Sequence, residues 1–142
     1  TVTENVALSR ISQKDDMERV SHALARADAD SLVAKLPHKE NTMLSTDFTD
    51  GVDLSGGEWQ KIGIARCMFA EPKFIILDEP TSALDALAES RVFDQLYALA
   101  EDTTMLIVSH RFATVRKADS IIVLQHGRIV EQGSHAELMA HK

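Results

Sequence analysis

One cysteine, one tryptophan and one tyrosine are all that these 142 residues hold of those types, and prolines number three. With Cys67 alone no internal disulfide can form, which fits a reducing compartment. No apolar run approaches the ~20 residues of a membrane helix. No signal-peptide pattern opens the chain. Positive charge is also short: 15 Lys and Arg stand against 22 Asp and Glu, a net charge of −7. That balance argues against general affinity for nucleic-acid phosphates or anionic lipid, while leaving room for a local anion site. The six glycines, at 51, 56, 57, 63, 127 and 133, never precede a lysine. What remains is 44% hydrophobic and 26% charged, the composition of a globular domain of ordinary size. The first residue is Thr1, set in ordinary globular sequence, so a fragment is expected.

Against this background one stretch organises the chain. Phe74-Ile75-Ile76-Leu77 runs straight into Asp78 and Glu79, and Pro80 stops it. The apolar run predicts a strand buried on both faces, the habit of a parallel sheet. Pro80 cannot continue a central strand, so the two acids fall at its carboxyl end. Open α/β sheets bind ligands at that edge. Paired acids there suit metal-assisted phosphoryl chemistry, one orienting Mg²⁺ and the other polarising a water. The plain alternative is a strand end with two solvated acids.

Residues 1–70 read as mainly helical. Glu4 to Leu8 gives one turn. Met17, Val20, Leu24 and Ala27 recur at helical spacing behind Asp15 or Asp16 as cap. A second helix after Asp28 or Asp30 places Leu32, Val33 and Leu36 on one face and ends at Pro37. Residues 37–53 are polar and predict a loop, with His38 solvated. The next helix opens at Ser55 and runs to about Ala70, with Trp59, Ile62, Ala65 and Phe69 inward. Residues 71–142 then alternate strand and helix, the pattern of an α/β sheet. After the strand at 74–77, a helix from Leu84 to Ala100 carries an apolar stripe of Leu84, Leu87, Ala88, Val92, Leu96 and Leu99. Met105 to Val108 is a strand ending at Ser109-His110-Arg111. A short helix through Ala113, Val115 and Ala118 leads to a third strand, Ile121 to Leu124. His126-Gly127 turns the chain into a return strand, Arg128 to Gln132. Gly133-Ser134 caps a last helix, 135–141.

Ser55-Gly56-Gly57 at a helix start is a candidate phosphate site. Unpaired N–H groups and the helix dipole favour an anion there. Glycine lets an oxygen approach the backbone. A plain capped helix accounts for Ser55 and Glu58 but not for two glycines in the first turn, each costing about 1 kcal/mol against alanine in a helix interior. Glu58 beside a phosphate is repulsive unless a capping box turns its carboxylate back to the Ser55 amide.

In order and spacing these elements resemble the ATP-binding-cassette (ABC) ATPases. Leu54-Ser55-Gly56-Gly57 followed by Gln60 is similar to the family's signature motif. Phe74 to Glu79 resembles its Walker B strand with the catalytic glutamate. Ser82-Ala83-Leu84-Asp85 resembles the D-loop, and His110 after a strand resembles the switch histidine. Thr1 to Val6 and Gly127 to Leu138 are similar to exporter segments. The resemblance covers nearly all of the chain and is weakest over 12–50. It implies a helical subdomain plus the C-terminal half of a P-loop NTPase-type, mostly parallel sheet flanked by helices.

It also implies roles. Asp78 would hold Mg²⁺ through water. Glu79 would be general base for the attacking water, and His110 would contact the γ-phosphate. Ser55, Gly56 and Gly57 would bind the γ-phosphate of ATP held by the opposite protomer of a head-to-tail dimer. Asp85 would couple the two sites. The implied partners are a second nucleotide-binding domain and a membrane-spanning domain, with no nucleic acid, at the cytoplasmic face of a membrane. The implied activity is ATP hydrolysis that drives export.

Departures accompany the match. Glu58 stands where glutamine is more usual, and Thr46 to Asp53 lacks the exporter cross-talk pattern. No G-x-x-x-x-G-K-[ST] loop occurs to cradle the β- and γ-phosphates. The upstream Q-loop glutamine and the aromatic that stacks on adenine are also missing. The chain alone is therefore expected neither to bind ATP well nor to hydrolyse it. Its sheet is expected to expose apolar surface for want of neighbours. Two rival readings remain. A soluble ABC-type ATPase of DNA maintenance would bring a long coiled coil or zinc-ligand cysteines. A degenerate cassette that only dimerises with a complete partner would have no need of Glu79 and His110.

Overall fold

The computed structural model describes residues 1–81, 86–99, 103–111 and 115–140. The D-loop residues Ser82 to Asp85 and the core of the helix expected around Ala113 lie outside these. The described residues form two compact units, Thr1–Ile75 with Thr81–Met105, and Ile76–Pro80 with Leu106–Lys142.

The first unit is built on helices. α1 (Val2–Val6) passes into a 3₁₀ stretch over Ala7–Gln13. α2 (Met17–Arg26) starts where the Asp16 carboxylate accepts from the Arg19 N–H, the cap its first turn requires. α3 (Asp30–Val33) is a single turn, shorter than the helix expected up to Pro37. Residues 37–53 form turns, as expected for a polar stretch, with one 3₁₀ turn at Lys39–Asn41. The Val52 N–H reaches the Met43 carbonyl at 2.9 Å and closes this segment on itself. Gly51 is needed there, because a Cβ would run into the Ser45 carbonyl oxygen.

α4 (Gly56–Ala70) is the longest element described. Ile62, Ala65 and Phe69 are buried as expected, joined by Ile64 and Met68, while Trp59 is half-buried. It packs against α1 and α2. Val2, Val6, Val20, Ala23 and Leu24 complete that core. Glu71 ends α4 in the left-handed conformation, φ 47°.

β1 (Phe74–Asp78) and β2 (Thr104–Val108) form a two-stranded sheet. The Thr104 N–H donates to the Lys73 carbonyl, and the Glu79 N–H to the Val108 carbonyl. Start meets start and end meets end, so the strands are parallel. α5 (Ala86–Leu99) is the crossover that parallel strands need. Val92 and Leu96 of its expected stripe are buried. Leu84 lies outside the described residues, as do the side chains of Leu87, Ala88 and Leu99.

Burial of β1 on both faces does not hold. Ile75 is buried, but Phe74 and Ile76 are exposed. Phe74, Ile76 and Asp78 alternate with Ile75 and Leu77, so one face of the strand is covered and no described residue covers the other. In the second unit β3 (Ile121–Gln125) pairs with β4 (Arg128–Gly133) as an antiparallel hairpin with a bulge after Val123. His126 and Gly127 both take positive φ, the habit of a tight two-residue hairpin turn. β3 and β4 form a sheet of their own rather than extending β1 and β2. α6 (His135–Ala140) closes the described chain.

Candidate functional site

The ends of β1 and β2 bring two of the expected residues together. Pro80 stops β1, so the chain leaves the sheet at Asp78 and Glu79. Glu79 adopts φ 46°, a left-handed conformation uncommon outside glycine. Its N–H still bonds the Val108 carbonyl at 3.0 Å. This turn of the backbone delivers the carboxylate to His110, two residues beyond the end of β2. Glu79 Oε1 accepts from the His110 N–H at 3.1 Å and lies 2.7 Å from His110 Nδ1. The ring nitrogen can donate to the carboxylate in the tautomer that carries the proton on Nδ1. Glu79 is half-buried, with 30% of its side chain exposed, while 80% of the His110 side chain is exposed. One side of the pair therefore faces protein and the other solvent.

Asp78 is exposed at the same strand end. Hard cations such as Mg²⁺ take oxygen donors and commonly keep several waters, with one or two carboxylates and substrate phosphates completing the shell. Asp78 beside Glu79 fits that donor chemistry. Among the described residues no group of three acidic, histidine or cysteine side chains could hold a metal by itself. Ligand phosphates and water would have to complete the shell.

The second group stands at the start of α4, in the other compact unit. Ser55 caps the helix in extended conformation. Glu58 Oε2 accepts from the Ser55 N–H and from Ser55 Oγ, both at 2.8 Å, and the Glu58 N–H reaches Ser55 Oγ at 3.4 Å. This is the expected capping box. The bonds from Ser55 hold the Glu58 carboxyl below its ordinary range. A Cβ built on Gly56 meets nothing within 4 Å. No contact among the described residues demands glycine there, so the open helix start fits the approach of an outside group such as a phosphate oxygen.

Sequence reasoning missed Thr81. Its hydroxyl, buried, donates to Glu89 Oε1 at 3.2 Å and ties the segment after Glu79 to α5. It also missed the basic side chains that hold α4. Asp85 lies outside the described residues.

A family profile described as ABC transporter matches residues 1–82. The chain is 43% identical over 141 residues to an ATP-dependent lipid A-core flippase of Cupriavidus pinatubonensis, covering 99% of this chain and 23% of that protein. It is 39% identical over 139 residues to the subtilin transport ATP-binding protein SpaT of Bacillus subtilis, covering 98% and 23%. Among solved structures, a bacterial Atm1-family ABC exporter with ATP bound matches with TM-score 0.85 and 33% identity, covering 99% of this chain and 24% of that one. The chain thus spans under a quarter of the length of each.

Proposed function

This chain belongs to the ABC transporter family, and we propose that it forms the part of an exporter's ATP-hydrolysing domain that positions the attacking water. The observation that carries this is the Glu79–His110 pair at the joint end of two parallel strands. Transport functions in the names of the relatives support an exporter over a DNA-maintenance ATPase.

Bound ATP and Mg²⁺ would supply the reacting phosphoryl group and a charge to stabilise it. Asp78 would contribute an oxygen to the ion's shell. Glu79 would take the proton of the attacking water on its carboxylate. His110, through its main-chain N–H and its ring Nδ1, would hold that carboxylate in place. The start of α4 would offer the N–H groups of Gly56 and Gly57 and the Ser55 hydroxyl to the γ-phosphate of a nucleotide held by a second nucleotide-binding domain. Asp85 would lie at the contact between the two. A membrane-spanning domain would place the assembly at the cytoplasmic face. Residues 1–70 would act as the helical subdomain and 71–142 as part of the catalytic core. The 142 residues alone would not hydrolyse ATP, because no G-x-x-x-x-G-K-[ST] loop is among them.

One assay tests this. In a transporter that carries this segment, Glu79→Gln should lower turnover by at least about 10²-fold, the scale of a lost general base, with ATP still bound. The 142-residue chain should show no turnover. Normal turnover by the Glu79→Gln transporter would sink the assignment.

A further inference from the structure

α2 and α4 are tied together at both ends by charged side chains that reach backbone carbonyls. At one end Arg19, in the first turn of α2, donates through Nε and Nη2 to the Phe69 carbonyl at 3.1 and 2.7 Å. The same guanidinium bonds Glu71 Oε2 and Gln13 Oε1. It also sits 4.8 Å over the Phe69 ring. At the other end Lys61, in the second turn of α4, donates to the carbonyl and the carboxylate of Asp28, both at 2.8 Å. Asp28 lies just past α2 in the left-handed conformation, φ 52°. The start of α2 thus meets the end of α4, and the reverse, so the helices run antiparallel. From Arg19 to Asp28 is about 13 Å along one chain segment, and from Lys61 to Phe69 about 12 Å along the other. The two ties are matched in span.

Apolar packing between α2 and α4 is non-directional and resists axial slippage through side-chain fit alone. Directional bonds at two matched points add to that resistance. Both acceptors include main-chain oxygens, which side-chain substitution does not remove. The Phe69 carbonyl is one of the last-turn oxygens that a helix leaves without an internal partner, and a cation suits that end of the dipole. The Arg19 and Lys61 side chains are only 19% and 17% exposed, unlike ordinary solvated ion pairs. Arg66, in the middle of α4, adds a third tie through Nε to the Asn5 carbonyl at 2.9 Å.

We infer that Arg19 and Lys61 are positioning residues that together set the axial register of α4 against α2, and so fix where its Ser55-Gly56-Gly57 end stands. The functional weight of that position rests on the reading of this end as phosphate-binding. The clamp itself does not.

Trp59, the chain's one tryptophan, reports the test. It lies ten residues from Phe69, about 15 Å along the helix, too far to sense a purely local loss at Arg19. In the 142-residue chain Arg19→Met should speed amide exchange over Trp59 to Gly63 about ten-fold, the scale of one lost charge-assisted bond. Trp59 quenching by acrylamide should rise, with far-UV circular dichroism unchanged. Arg19→Lys, which keeps the charge but not the fork, should fold and show the same changes at smaller amplitude. Lys61→Met should loosen Met68 to Glu71 reciprocally. Faster exchange confined to Met68 to Glu71 in both Arg19 variants, with Trp59 unmoved, would overturn the clamp and leave only a local helix cap. These measurements need no nucleotide. If the clamp holds and Ser55→Ala leaves ATP-driven closure of the whole transporter intact, the phosphate reading alone fails.

Discussion

At the scale of single residues, Glu58 shows how one carboxylate serves two needs. Its Oε2 takes both donors of Ser55, which turns its charge back onto the chain at a helix start suited to anions. Those bonds favour the ionised form and lower its pKa. A carboxyl whose folded pKa lies below its unfolded value adds stability above the unfolded value, about 4.3. That contribution disappears as pH falls through the folded value. Acidification below about pH 4.3 should therefore loosen the first turn of α4, with Glu58 titrating below an unstructured glutamate by NMR. In Glu58→Gln the first turn should lose this acid sensitivity. An unchanged pH profile in that variant would show that the carboxylate carries none of it. The position of Glu58 was legible, because a serine three residues before a glutamate is a capping pattern. The left-handed backbone of Glu79 was not, since nothing in Asp78-Glu79-Pro80 announces a positive φ for a glutamate.

At the scale of elements, α4 was the most legible part. A capping box at its start and a periodic apolar face specify one helix by independent signals. Ser55→Ala removes the cap and should cost about 1 kcal/mol. It should also raise the Glu58 titration, but only in part, because the main-chain N–H of residue 55 still donates to Oε2. Urea unfolding and the Glu58 titration check both. A stability loss with the Glu58 titration unmoved would mean that the main-chain N–H alone holds the carboxylate. The ties of α4 to its neighbours were illegible for a physical reason. Arg19, Lys61 and Arg66 sit at helical positions where a cation usually faces water, and each reaches a backbone carbonyl, which leaves no trace in sequence. The strands β1 and β2 were legible as apolar runs ending in polar residues. Their burial was not, because it depends on what lies over them.

At the scale of the whole molecule, that uncovered surface governs behaviour. Ile76 of β1 is 63% exposed and Leu124 of β3 is 69% exposed. Phe74, Leu106, Val108, Ile122, Ile129 and Val130 are exposed with them. Each compact unit thus leaves apolar strand residues in water, where soluble monomers normally keep such patches small. Strand edges without a partner among the described residues also offer templates for other chains. The net charge of −7 opposes association, but repulsion among exposed charges is screened beyond about 8 Å at physiological salt, while apolar contact is not. The 142-residue chain should therefore self-associate across the micromolar range, more strongly as salt rises, and should bind a hydrophobic dye. Ile76→Thr with Leu124→Thr should shift sedimentation toward monomer without changing the helical signal, since neither side chain belongs to the α1, α2 and α4 core. A chain that sediments as monomer at all salt concentrations would show that the strand faces are covered in solution. If only the double variant's dye binding falls while association persists, the strand edges rather than the apolar faces join the copies.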